Sequence, residues 1–359
     1  MVGLMLSRIL SICMALLGAA GAAQAQGAAD RLQSVLASVP VAAMEGGSGP
    51  IIAGFGNGDA VRWIAVRAAQ NGQIPDTPNR FAALRSSAPN QQAAFLAHDD
   101  AAIRAAVGLI ASDWVETWEV AQGPVRIGAM DIFPDSEMRL RGALFSRGFT
   151  EEERAGLPVM WIGAVDHEPV ATRIDPANPF GGDAGLPLRM AFTGNRAIWA
   201  TGWTALDLAS APRGETLADR PDAGALIGGL RRVGNLGALV SVRCWLRNGA
   251  TVPVAGAADG PVEAVALADF AIRETEGAAM VLVLADGIDV DALAARLVDA
   301  WPVLSDLPSP APPEVTSGGS TITVTMSGGW GSDAAETNDA YKVFESVLAG
   351  GRLGFLIQR

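Results

Sequence analysis

The chain has 359 residues, half of them hydrophobic and 18% charged, with a formal net charge of -12. So acidic a chain offers no general attraction to nucleic acid or anionic lipid. Two histidines and two cysteines leave almost nothing from which to build a Cys/His zinc site, and an apolar content this high argues against disorder.

Residues 1–25 read as a secretory signal peptide: Arg8, an apolar run from Ile9 to Leu17, and the small-residue pattern Ala23-Gln24-Ala25. Ile12 stands where a lipobox wants a small residue, so Cys13 is expected to leave with the peptide. Cleavage after Ala25 would remove one base and no acid, and would leave Cys244 as the sole thiol. The mature chain is then predicted to be periplasmic or secreted, with no membrane span.

The first mature element is a helix over Arg31–Val39, with Leu32, Val35 and Leu36 at helical spacing. A strand follows over Pro50–Phe55. Asp59 then caps a helix through Ala69, in preference to a hairpin at Asn57-Gly58. Ile103, Val107, Ile110, Trp114 and Trp118 form one stripe and predict a long helix over Asp100–Val120, stopped at Gly123-Pro124. Val125–Ile132 reads as a strand, and Asp135 opens a helix that Gly148 ends. Leu157–Ala164 is a strand, Val165–Gly185 a polar loop, and Leu186–Thr193 with Ala197–Thr201 a hairpin.

A domain boundary is placed at 215/216, in the turn-rich stretch Ala211–Pro221. It separates an N-terminal unit, 26–215, from a C-terminal unit, 216–359. Beyond it come a helix around Leu226–Val233, a strand over Leu239–Trp245, and a hairpin turning at Glu276-Gly277. Asp289 caps a helix closed by Pro302. Ile322, Val324 and Met326 alternate with threonines, which predicts a wet strand face. Asn338 caps a last helix, and Leu353–Ile357 is a strand. Strand, acidic residue and helix recur at Val125–Arg147 and Val281–Val298. The expected class is α+β: two halves of β-α-β and hairpin units, antiparallel or mixed sheets, and helices packed on one face.

Few motifs carry chemistry. Gly46-Gly47-Ser48-Gly49-Pro50 misses the G-x-S-x-G elbow, and only His98 and His167 could serve a nucleophile as base. Cys244 lies on an apolar strand face, as a packed thiol does. Gly54-x-Gly56 has Asp59 where a dinucleotide loop needs its third glycine, and an acidic residue there would repel a pyrophosphate. The most polar constellation is the loop holding Asp166, His167, Arg173, Asp175, Asn178 and Asp183. Hard oxygen ligands there could hold Ca²⁺ and paired carboxylates could do acid–base work, but Asp175-Pro176 and Asn178-Pro179 equally make turns in a solvated loop. The spacing matches no calcium loop, so neither metal nor cofactor is expected. Trp203 and Trp330 are the aromatic contact candidates. These residues point to a non-catalytic extracytoplasmic protein that binds an envelope component, a protein, a glycan or a small ligand. The alternative is a carboxylate-dependent hydrolase centred on Asp166 and Asp175.

Overall fold

A computed structural model describes residues 27–70, 85–248, 260–271, 275–329 and 338–353. Among the described residues, twelve strands form one sheet, and every pairing in it is antiparallel. They are β1 Ile51–Asn57, β2 Trp114–Gln122, β3 Val125–Ile132, β4 Thr150–Arg154, β5 Leu157–Ile162, β6 Leu188–Thr193, β7 Arg196–Ala200, β8 Ala238–Leu246, β9 Val262–Ala271, β10 Thr275–Leu284, β11 Glu314–Gly318 and β12 Thr321–Gly329. Their order across the sheet is β11-β12-β10-β9-β8-β1-β2-β3-β7-β6-β5-β4. Strands from either side of position 215 pair directly, Phe55 of β1 facing Val242 of β8.

The helices are α1 Gly27–Ala37, α2 Gly58–Gln70, α3 Pro89–Ala97, α4 Asp100–Val107, α5 Pro134–Ser146, α6 Trp203–Ser210, α7 Pro221–Arg231, α8 Val290–Leu304 and α9 Asp339–Ala349. The chain is therefore α+β with antiparallel pairing, as its elements imply. The helices, expected on one face, cover both. Alternation along β10 shows why. Ala279, Val281 and Val283 join a core with α1, α6 and α7, while Ala278, Met280, Leu282 and Leu284 join a core with α8 and α9. Successive strand residues point to opposite faces, and here both sets are apolar. On that second face, α2 to α5 cover the strands of the N-terminal half with a separate core. Among the described residues, no helix is long and apolar enough to cross a membrane.

Several elements depart from expectation. The predicted helix over Asp100–Val120 stops at Gly108, whose φ of 73° caps α4 in the left-handed conformation. Trp114 and Trp118 then lie on β2. Their four-residue spacing fits a strand face as well as a helix, but an irregularity at Trp114/Glu116 sends them to different cores. Glu276 and Gly277 sit inside β10 and not in its turn. Pro302 lies within α8 and does not close it. The threonine face of β12 is buried at Thr321 and Thr323 and half-buried at Thr325, the Thr323 hydroxyl donating to the Gly229 carbonyl of α7 at 3.3 Å. Helix α6 and edge strand β4 were not foreseen. The caps Asp289 and Asn338 do accept the backbone N–H of Ala292 and Tyr341, at 3.0 and 3.2 Å. Asp135 instead occupies the first turn of α5, behind Pro134. The strand expected at Leu353–Ile357 falls largely outside the described residues.

Candidate functional site

The loop after β5 is built around one buried cation. Arg189 on β6 has no exposed surface, and its Nη2 donates to the Gly163 carbonyl at 2.7 Å. The same nitrogen lies 2.8 Å from Oδ1 of Asp166. Oδ2 of Asp166 accepts the backbone N–H of Trp203 at 2.8 Å, so this carboxylate also caps the start of α6. The Trp203 indole lies between two guanidinium groups, Arg154 at 4.5 Å and Arg189 at 5.2 Å, and meets Trp161 edge-on at 5.8 Å.

His167 takes a left-handed φ of 59°, which places Nδ1 2.9 Å from the Thr201 hydroxyl oxygen. Burial lowers its pKa, Asp166 opposes that and Arg189 adds to it. Arg173 donates to the Glu168 carbonyl at 3.1 Å and lies against Gly163, whose φ is 90°. A Cβ at that glycine would stand 1.7 Å from Arg173 Nη1, so only glycine fits there.

Asp166, His167, Arg173 and Trp203 thus come together. The other loop residues diverge. Asp175 pairs with Arg147 at the end of α5, and Asp183 pairs with Arg126 of β3 at 2.9 Å. Asn178 accepts the N–H of Phe180 at 3.0 Å, closing a turn. Each of the three loop aspartates meets a different arginine, and among the described residues no three His, Cys, Asp or Glu side chains are placed to hold a metal ion. Trp330 lies outside the described residues.

A cleft of about 410 Å³ opens on the same sheet face, between α6 and strands β4 to β6. Leu157, Val159, Ala191 and Leu206 make its floor. Arg154 and Asp207 form a two-pronged pair in its wall, at 2.6 and 2.7 Å. Arg213 stands exposed among its lining residues, and the buried Ser210 hydroxyl beside it has no hydrogen-bond partner among the described residues.

Sequence reasoning missed a second charged assembly, on the opposite face at the middle of the sheet. Arg85 donates to both oxygens of Asp269, from Nε at 2.9 Å and Nη2 at 2.7 Å, and from Nη1 to Glu276 at 2.5 Å. Asn338 donates to Asp269 at 2.7 Å and to the Gly277 carbonyl at 2.8 Å. None of these four residues is more than 4% exposed. Burial pushes the Glu276 carboxyl up to about 7, against the pull of Arg85. Burial alone would lower Arg85, but its two carboxylates hold it above its usual range. Next to Arg85, the Ser86 carbonyl rests on β1 at Gly56, where a Cβ would come within 1.4 Å of it. The sequence signal for this assembly is Asp269, a charge embedded in the otherwise apolar end of β9. Cys244 is fully buried between β1 and β9, and burial pushes its thiol up to about 12.

No protein-family model matches this chain, and no curated protein matches it. Among solved structures it is similar to TP0453. Crystal form I is 11% identical with a TM-score of 0.39, covering 88% of this chain and 97% of that one. Form III is 10% identical with a TM-score of 0.40, covering 87% and 97%.

Proposed function

We propose that the chain works outside the cytoplasm as a non-catalytic binding protein, and that it takes a small, largely apolar ligand into the cleft beside α6. The secretory pattern of residues 1–25 supports the location. The cleft carries the rest of the reading. Its volume of about 410 Å³ falls in the range of small-molecule sites, about 300–1,000 Å³. An apolar floor supplies the affinity, and a few polar groups at its wall orient the ligand. The Ser210 hydroxyl and Arg213 are such groups. The divergence of Asp166, Asp175 and Asp183 leaves that loop without the paired carboxylates a hydrolase would use.

The test uses protein exported from a bacterial host and purified from the periplasm or medium. Its intact mass should begin at Gln26, and 1-decanol should bind saturably, read by tryptophan fluorescence. Ala211→Trp, at an exposed position of the cleft wall, should weaken decanol at least about tenfold by filling the mouth. Retention of residues 1–25 would overturn the location. Absence of binding, or equal binding by the variant, would overturn the cleft.

A further inference from the structure

We propose that Arg173 and Arg189 form a site for a small oxyanion, a phosphate or carboxylate group, received against Gly163 and the Trp161 indole N–H.

The argument begins with unmatched donors. Nε and Nη1 of Arg189, Nε and Nη1 of Arg173, and Nε1 of Trp161 are all buried, and none has a hydrogen-bond partner among the described residues. Buried polar groups are almost always paired, and an unpaired group calls for a physical explanation. Oδ1 of Asp166, 2.8 Å from Nη2 of Arg189, is the one acceptor in the same position, so five unpaired donors face a single carboxylate oxygen. Trp161 and Arg189 are direct cross-strand partners on β5 and β6, so their side chains share one sheet face. Arg189 donates to the carbonyl of the same Gly163 against which the Arg173 guanidinium lies.

The charges agree. Two guanidinium groups meet one carboxylate, Asp166, and its two oxygens are engaged by Arg189 and by the Trp203 N–H. A net positive charge remains in a site where both the N-terminus of α6 and the two arginines favour an anion. Cζ of Arg189 lies over the Trp203 ring, and Nε and Nη1 of the same guanidinium are left for a ligand. Forked N–H donors match the planar or tetrahedral oxygens of a carboxylate or phosphate. Access is from the Arg173 side, because Ala171 and Thr172 of the same short turn are exposed.

This inference stands apart from the apolar cleft, and its test uses different ligands and a different variant. The mature protein is titrated with inorganic phosphate and, separately, acetate at constant ionic strength set with chloride. Tryptophan fluorescence reports the response at Trp161 and Trp203. A saturable response to at least one oxyanion is expected, with a rise in Tm of the kind binding to the native state produces. A response to phosphate alone identifies a phosphate-bearing ligand, and one to acetate alone a carboxylate. Arg173→Gln, on its exposed turn, should keep the fold and weaken the oxyanion at least tenfold while leaving decanol binding unchanged. Arg173→Lys, which keeps the charge without the fork, should fall between. No saturable response beyond that of chloride, or an unchanged affinity in Arg173→Gln, would overturn the proposal.

Discussion

Charged side chains do different work in two regions of the molecule. In the loop after β5, Asp175 and Asp183 each meet their own arginine beside water, with side-chain exposures of 22% and 50%. In the middle of the sheet, Asp269 and Glu276 share Arg85, and all three side chains are 2–4% exposed. Exposed pairs are screened and hold long side chains in place at an entropic cost, so each contributes about 0–1 kcal/mol. A buried set gives up the hydration of every charge, and its internal attraction does little more than offset that loss. Removing one member is another matter, because the others are then buried without a partner. The surface pairs pin the course of a loop, whereas the buried set ties β9, β10, the Arg85 segment and the start of α9 into one arrangement.

The comparison breaks most visibly at Arg85. Arg85→Met leaves two buried carboxylates without their cation and should lower the unfolding free energy by about 3–5 kcal/mol, measured by urea titration. A loss under about 1 kcal/mol would place the buried set with the surface pairs.

Glu276 sharpens the contrast through pH. Its carboxyl is raised from 4.5 to about 7 in the folded state, so the folded protein holds this proton more tightly than the unfolded chain. The stability this confers is complete below about pH 4.5 and is lost as pH rises to about 7. Wild type should therefore lose stability relative to Glu276→Gln across that window, by at most about 1.4 kcal/mol per pH unit. Urea titrations of both proteins at pH 5 and pH 7 measure it. A stability difference independent of pH would show that Glu276 does not titrate there.

The smallest effect belongs to the loop. Asp175→Ala should change stability by less than about 1 kcal/mol, and millimolar Ca²⁺ should leave Tm where a chelator leaves it. A rise of several degrees with Ca²⁺, abolished in Asp175→Ala, would mean that the loop acids gather around an ion.

The class of the fold and most of its strands were legible because strand periodicity survives in apolar residues such as those of β10 and β12. The helix drawn through Trp114 failed because steps of four are even as well as helical, and a strand reads them equally well. Gly108 was the better signal. Helix α6 is hard to read because Trp203 and Leu206 follow strand β7 after only Thr201 and Gly202. In the candidate site, Asp166, His167, Arg173 and Trp203 could be named from the sequence, but their organising residue, Arg189, reads there as one polar residue in an apolar strand. The buried network was harder still. Its members are 61 to 191 residues apart where they touch, and no local pattern joins them.

The place of β1 has a consequence for how the chain folds. It is the first strand in the described chain, yet it lies inside the sheet, between β2 and β8. Its partner on one side follows within about one domain-sized stretch, but Ala238–Leu246 come only after seven strands have been made. Until then the Ile51–Asn57 edge has an unsatisfied row of backbone donors and acceptors next to apolar side chains. Such non-local closure is slow, and an open apolar edge is prone to wrong pairing. The nascent N-terminal half is therefore the stage at which this protein is most exposed to aggregation, and a chaperone that holds it extended until β8 emerges would act at that edge.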